Sequence, residues 1–415
     1  MSLYEQVQSQ LRQAYTYLDD EYEPSLLDIL LEPKQVLDPV LTITMDDGTE
    51  QSFQAYRSQH NDVMGPHKWG IRFHPQVSLD EVKSLSAWMS LKCSTVGIPL
   101  GWGKWWIIVN PKQLSQIELE RLSRAYIQAI AGHIGPTKDV PAPDVNTNWQ
   151  IMGWMADEYA NMTWAWHPGV ITGKPLSIGW SKWRTQATSR GGLYTLIKYF
   201  ESVWEVIEGK KIIIQWAWNV GMYFGLLAQE AWANIIWIWD SKWNIINISW
   251  IDMKKIQMLK SARKSVIDYG DANRVDDDHA FLTTVCDVLA PAALENQITQ
   301  VNAWDLQTSL VLELANGPTT AEADQILKTK NIVLIPDVLA NAWGVTVSYF
   351  EQVQNNMNYY REEDEVNTKL KTIMDNATSA VIAISKEKNI TLREWAYVIS
   401  MKRMMEAMKV RGWGK

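Results

Sequence analysis

Apolar residues recur at helical spacing through residues 5–32, mixed with acidic ones, and the run stops before Pro33, which predicts helix. From Val36 to Phe53 the pattern shortens to two strands around Asp46-Asp47-Gly48, a hairpin-type turn. The helical period returns over Leu79 to Lys92 and Ser115 to Ala131. Gly169 to Arg190, rich in Gly, Ser and Thr, reads as an exposed functional loop or hinge.

The texture changes near Gly209. Lys211 to Gln215 is a short apolar run of the kind a buried parallel strand requires. A turn follows, then a helical pattern over Val220 to Glu230, then a second apolar run, Asn234 to Trp239, ending in Asp240. Strand, turn, helix, strand and acidic residue is the order of a dinucleotide-binding unit. Val285 to Leu289, Leu310 to Glu313 and Ile332 to Ile335 are further strand candidates, and Glu362 to Glu387 and Leu392 to Val410 are long helices with charged faces. The pattern shows no internal repeat.

A length of 415 residues exceeds one ordinary core, so two domains are expected. A net charge of -8 argues against nucleic acid or an anionic membrane as partner. Two cysteines, Cys93 and Cys286, make no disulfide framework, and six His at no zinc-ligand spacing lead us to expect no metal site. The first residues carry no basic and apolar leader pattern, and the most apolar stretch, Ile235 to Ile251, holds Asp240 and Lys242; a cytoplasmic protein is expected. One count changes the picture: the chain has 23 Trp against 6 Phe.

Three groups could carry chemistry. The turn Trp216-Ala217-Trp218-Asn219-Val220-Gly221 stands where a G-x-G-x-x-G fingerprint would, with only the third glycine present, and Asp240 is placed to accept from ribose hydroxyls. A βαβ unit without a nucleotide is the competing reading. Lys68, Lys92 and Lys104 could hold a substrate with two carboxylates, one of them acting as an amine near neutral pH, or could be ordinary surface lysines. Asp144, held behind Pro141 and Pro143, could be a positioned acid or base, or merely the N-cap of a helix over Val145 to Tyr159.

These segments, in this order, resemble the glutamate dehydrogenase branch of the Glu/Leu/Phe/Val dehydrogenase family. The resembling motifs are Gly65-Pro66-His67-Lys68, Ile71 to Pro75, Pro141 to Thr147, Thr172-Gly173-Lys174-Pro175, Pro291 to Asn296, Ala315 to Thr320 and Gly344 to Phe350. The resemblance implies an α/β protein of two domains, an α/β substrate domain and a Rossmann-type dinucleotide-binding domain separated by a cleft. It implies a substrate and oligomerisation domain over 1–187, a dinucleotide-binding domain over 188–344, and C-terminal helices over 345–415 returning to the substrate domain. The implied reaction is reversible oxidative deamination of L-glutamate to 2-oxoglutarate and ammonium with NAD, NADP being the alternative dinucleotide, usually in a homohexamer. By position, Lys104 matches the catalytic lysine and Asp144 the proton-transferring carboxylate. Lys68 and Ser348 match the holders of the side-chain carboxylate, and Lys92 that of the α-carboxylate. Thr188, Asn219, Asp240 and Asn316 match dinucleotide contacts.

The chain departs from the family in one consistent way: Trp69, Trp102, Trp105, Trp106, Trp180, Trp183, Trp216, Trp218, Trp243 and Trp343 stand where the family has Gly. If each cost the left-handed strain and overpacking of a lost glycine, ten would sum to roughly 20 kcal/mol. A fold stable by about 5–15 kcal/mol would then have to remodel around them. Either the sequence shows Trp where the protein has Gly, for instance through a Gly codon one base away from the Trp codon, or the chain is an altered, inactive relative that serves as a scaffold or binding protein. The first would not cover Trp239 or Trp395, where the family usually has another small residue. A dehydrogenase for another amino acid is the remaining alternative.

Overall fold

The computed structural model of the chain describes residues 2–179, 187–277, 279–388 and 390–414. It divides into two compact units, Met1–Lys182 with Val345–Asn367 and Tyr397–Lys415, and Trp183–Gly344 with Thr368–Ala396. Residues 345–415 are therefore shared between the two units, with Thr368–Ala396 grouped in the second. Of the expected loop over Gly169 to Arg190, residues 180–186, with Trp180 and Trp183, lie outside the described residues; the rest is not an exposed loop, since Val170, Ile171, Thr172 and Lys174 are buried and the chain is helical from Ala187.

The first unit is built on a mixed sheet of β1 (Gln35–Leu37), β2 (Val40–Thr44), β3 (Glu50–Asn61), β4 (His67–His74), β5 (Gly101–Ile108) and β6 (Asp139–Pro143). The expected hairpin is β2 and β3, closed by Gly48 at a φ of 85°. The order β1-β3-β5-β4-β6 leaves β5 and β4 central, with β4 parallel to both β5 and β6. One face packs Ile71, Phe73, Trp105 and Ile107 against Tyr126 and Ile127 of the helix Gln116–Ile130. Met152 and Met155 of the helix Trp149–Thr163 close the same core. The opposite face carries the helix Leu79–Val96, tied to β3 by the Ser58–Ser86 hydroxyl pair at 2.8 Å.

An ion pair lies inside this unit: Arg57 on β3 donates to Asp139 on β6, and both side chains are fully buried. Gln59 Nε2 adds a bond of 2.7 Å to Asp139. The guanidinium sits 4.1 Å over the Trp105 ring. Gly103 makes this possible, because a Cβ there would fall 2.3 Å from the Arg57 guanidinium carbon.

The second unit holds a seven-stranded sheet of β7 (Lys211–Gln215), β8 (Asn234–Trp239), β9 (Asn244–Ile246), β10 (Asn273–Val275), β11 (Cys286–Pro291), β12 (Thr308–Leu312) and β13 (Val333–Ile335). Its order is β10-β9-β8-β7-β11-β12-β13, parallel from β8 through β13, with β9 and β10 antiparallel. The chain builds outward from β7 to one side, then returns to lay β11 on the other. That reversal sets a topological switch point at the carboxyl ends of β7 and β11, where ligands of such sheets bind. The apolar runs read from the sequence fill both faces: Ile213, Leu289 and Val311 meet Ile326 and Leu327 of the helix Ala321–Thr329. On the other face Gly225 of the helix Asn219–Glu230 admits the Met253 side chain. Arg393 ties the start of the helix Leu392–Val410 into this unit through Glu313 at 2.7 Å and Asp324 at 3.0 Å.

The tryptophans are accommodated differently from expectation. Of the ten at family glycine positions, only Trp216 has left-handed backbone among the described residues, at a φ of 87°. Trp105, Trp106 and Trp343 are instead packed into cores, with indole N–H groups that find no acceptor. Each such buried donor costs about 1–3 kcal/mol. Three other tryptophans, Trp164, Trp204 and Trp232, take left-handed conformations at helix ends. Strain therefore falls at helix termini as well as at the loops named by the resemblance, because the αL residue closing a helix carries no side-chain signature of its own.

Candidate active site

The first unit brings Lys68, Lys104 and Asp144 together by strand register. Lys68 on β4 pairs with Trp102 on β5 and with Val140 on β6. Side chains alternate along a strand, so Lys104, two residues past Trp102, shares a face with Lys68 and stands about 7 Å further along. Asp144, four residues past Val140, follows directly on β6 and reaches the same face. The competing reading of Asp144 as a helix N-cap does not hold. The helix begins later, at Trp149, and its N-cap is Asn148, whose Oδ1 accepts from Gln150 N at 2.9 Å and Ile151 N at 3.1 Å. The Asp144 carboxylate is left to accept from the Lys104 ammonium, with Arg72 Nε 3.2 Å away.

Nor are the three lysines surface residues; Lys68, Lys92 and Lys104 are each 1% exposed. Burial, with the positive charge of Arg72, lowers the Lys104 ammonium to about 7 against the opposing pull of Asp144. For Asp144, burial works upward but Arg72 and Lys104 outweigh it and hold the carboxyl well below the usual carboxylate range. Lys92, on the helix Leu79–Val96, adds a further positive charge that lowers Lys104. Gly70 is the spacer: a Cβ there would come within 2.5 Å of the Asp144 Cβ.

Lys68 is turned toward a polar pocket. Its Nζ donates to Thr172 Oγ1 at 2.5 Å and to Val140 O at 3.2 Å. Thr172 Oγ1 in turn lies 2.9 Å from Ser348 Oγ, so the two residues matched to the substrate's side-chain carboxylate share one hydroxyl. The loop bearing Thr172 is fixed from behind, where Gly173 N donates to Glu351 Oε1 at 2.7 Å and Lys174 Nζ to Pro168 O at 2.7 Å. Burial lowers Lys174 to about 8, with Glu351 opposing. Sequence reasoning named neither Arg72 nor Thr172 as members of the site, although both lie inside motifs it singled out.

The residues matched to the dinucleotide fall in the second unit. Thr188 begins the helix Ala187–Ser202, whose Ser189 Oγ donates to Val220 O at 2.8 Å, joining it to the start of the helix that Asn219 opens. Ala217 N donates to Trp239 O at 2.5 Å, holding the turn against the end of β8 beside Asp240. Asn316 Oδ1 accepts from Asn341 Nδ2 at 3.1 Å. A cavity of about 770 Å³ opens at the switch point, lined by Gln215, Trp216, Asp240, Asn296 and Gln297 among others. A dinucleotide fits this edge in position and in one cradle: a Cβ at Gly221 would strike Trp216 O at 2.1 Å, so the helix can approach the strand only over glycine.

Two features depart from the expectation. The indoles of Trp216 and Trp218 occupy the turn where two fingerprint glycines would stand. Asp240 is engaged within its own unit: Oδ1 accepts from Lys242 N and Trp243 N, and Oδ2 from Lys260 Nζ, Ser265 Oγ and Val266 N, at 2.8–3.2 Å. Burial would raise this carboxyl, but those donors, Lys260 foremost, hold it at about 2. Among the described residues no cluster of His, Cys, Asp or Glu could hold a metal ion.

Comparison with known proteins places these features in context. The family model "Glu/Leu/Phe/Val dehydrogenase, dimerisation domain" matches residues 33–161, and "Glutamate/Leucine/Phenylalanine/Valine dehydrogenase" matches residues 179–412. The NAD-specific glutamate dehydrogenase of Clostridioides difficile is 44% identical, covering 100% of this chain and 99% of that protein. The crystal structure of glutamate dehydrogenase from Peptoniphilus asaccharolyticus superposes with a TM-score of 0.89 at 38% identity, covering 100% of both chains. The Leu-bound hetero-hexameric glutamate dehydrogenase of Thermus thermophilus gives 0.91 at 29% identity, covering 99% of this chain and 97% of that one.

Proposed function

Because this chain belongs to the Glu/Leu/Phe/Val dehydrogenase family, we propose that Lys104 and Asp144 carry the proton chemistry of its reaction. That reaction is the NAD-dependent, reversible oxidative deamination of L-glutamate to 2-oxoglutarate and ammonium. NAD, when bound, accepts the hydride that leaves Cα of glutamate. Everything else falls to side chains of the chain. Lys68 and Ser348, with Thr172 between them, hold the side-chain carboxylate, and Lys92 holds the α-carboxylate. Lys104, with an ammonium lowered to about 7, is a neutral amine in half of the molecules at that pH. In that form it takes a proton from the water that adds to Cα of 2-iminoglutarate, and its charged form then stabilises the oxygen that becomes the keto group. Asp144 relays protons between Lys104 and the departing ammonia.

The observation that carries this reading is the contact of a buried lysine of lowered pKa with a carboxylate, beside a second buried lysine that donates to the Thr172 hydroxyl, which in turn meets that of Ser348. It also disfavours the scaffold reading and that of a dehydrogenase for an apolar amino acid, since Lys68 would then face an uncharged side chain. For the dinucleotide we propose Thr188, Asn219, Asp240 and Asn316 as the contacting set. Asp240, fixed by its own donors, would serve chiefly as a negative charge that disfavours a 2′-phosphate. We further propose a homohexamer working in the cytoplasm; two free, buried cysteines suit a reducing compartment. The deciding assay follows NADH formation with glutamate and with norvaline, an uncharged analogue. Strong preference for glutamate that is lost in Lys68→Met supports the assignment; equal turnover of both amino acids overturns it. Light scattering of the purified protein tests the hexamer.

A further inference from the structure

Ten non-glycine residues have positive φ among the described residues: five Asn, one Arg and four Trp, namely Trp164, Trp204, Trp216 and Trp232. Asn visits this region through local hydrogen bonds of its short side chain. For a bulky aromatic residue it is an outlier that needs a cause.

The local geometry removes the ordinary causes. Trp204 follows the helix Ala187–Ser202; its N–H donates to Glu201 O at 3.2 Å, and Glu205 N donates to Phe200 O at 2.9 Å. Trp232 follows the helix Asn219–Glu230; its N–H donates to Gln229 O at 3.0 Å, and Ala233 N donates to Ala228 O at 3.0 Å. Both are the Schellman ending, in which the residue after the C-cap takes the left-handed conformation and is usually glycine. The chain's own glycines close other helices in the same way, as when Gly97 N donates to Ser94 O and Ile98 N to Cys93 O, both at 3.1 Å. Trp164, with a φ of 55°, ends the helix Trp149–Thr163. The indoles of Trp164, Trp204 and Trp232 are 94%, 97% and 75% exposed, so no packing repays the strain. Trp216 is the one inward case, and it stands at the tight turn that the dinucleotide fingerprint assigns to glycine. Composition agrees: 23 Trp beside only 22 Gly in 415 residues inverts the usual ratio of a rare and a common residue.

We propose that the cells that make this chain insert glycine at residues 164, 204, 216 and 232, through a codon they read as glycine. The inference rests on backbone conformation and hydrogen bonding at helix ends and does not depend on the roles assigned to Lys104 and Asp144. It accounts at once for the exposed indoles in left-handed backbone and for the left-handed Trp216 in the turn after β7.

Peptide mapping by mass spectrometry, on the protein isolated from the cells that naturally make it, tests this directly. The expected result is the residue mass of glycine at all four positions, with an intact mass below 47.6 kDa. Glycine at three or four supports the proposal, and tryptophan at two or more overturns it. A second measurement uses recombinant protein carrying tryptophan throughout, compared with its Trp204→Gly/Trp232→Gly variant. A higher melting temperature for the variant is expected, while an unchanged or lower one overturns the claim that these sites call for glycine.

Discussion

Replacing Asp144 by Asn gives the sharpest test of the proton chemistry, because the structure fixes the sign of the effect. Asp144 is the group that raises Lys104, against burial and the charge of Arg72, which lower it. Its loss therefore moves the Lys104 pKa down from about 7. Opposite unit charges about 4 Å apart interact by roughly 4 kcal/mol at an effective dielectric near 20. At about 1.4 kcal/mol per unit, that is close to three pH units. The Asp144 side chain is 18% exposed, so solvent screens part of this, and a drop of roughly one to three units is expected. The readout is the pH profile of kcat/KM for glutamate. On the proposed mechanism activity needs the neutral amine, so the acid limb of the profile reports the Lys104 pKa and shifts to lower pH in the variant. The plateau falls separately, by about 10²- to 10⁴-fold, if Asp144 relays protons. Should the plateau be too low to follow, the pH dependence of Lys104 reductive methylation, read by peptide mass, yields the same pKa. A limb that stays in place or moves to higher pH would refute the electrostatic account.

Three further outcomes follow from the geometry. Lys68→Met should raise the KM for glutamate roughly ten- to a hundredfold, the equivalent of the ~1.5–3 kcal/mol of a hydrogen bond to a charged group, with kcat reduced far less; an unchanged KM removes Lys68 from carboxylate binding. Gly70→Ala places a methyl group 2.5 Å from the Asp144 Cβ and should lower kcat on the order of a hundredfold while thermal melting changes little; wild-type kcat would show that Asp144 can shift without consequence. Asp139→Asn leaves Arg57 as a buried charge without its carboxylate partner and should cost about 3–5 kcal/mol in urea unfolding, whereas a cost below about 1 kcal/mol would mean the pair is not sealed from water.

The second unit was the more legible of the two from sequence. A parallel strand buried on both faces declares itself as an unbroken apolar run, and Lys211–Gln215 and Asn234–Trp239 were read to the residue. The site in the first unit was legible as a set of residues but not as an arrangement. Lys68, Lys92 and Lys104 read equally well as surface charges, because burial depends on strand register and on the helix Leu79–Val96 laid across it. Asp144 and Asn148 are both sound N-caps four residues apart, and only the contact with Lys104 separates them. Thr172 reaches Lys68 across a separation of 104 residues, which no local pattern reveals. The left-handed tryptophans at helix ends were missed for another reason: the residue that closes a helix is known only once its last turn is placed, and sequence patterns locate that turn to within a residue or two.

The way the first unit assembles its site bears on how such a protein can change over generations. The proposed proton pair belongs to one stretch of framework, Lys104 on β5 and Asp144 directly after β6. The proposed recognition pocket is completed from elsewhere, by Thr172 in a loop and Ser348 on the helix Trp343–Met357. Mutations in that loop and helix can alter which side chain is welcomed while the reacting end of the amino acid meets the same lysine and aspartate. Descendants of one ancestral gene could thus diversify their diet of amino acids without reinventing the deamination step, and a protein engineer has the same two dials to turn independently.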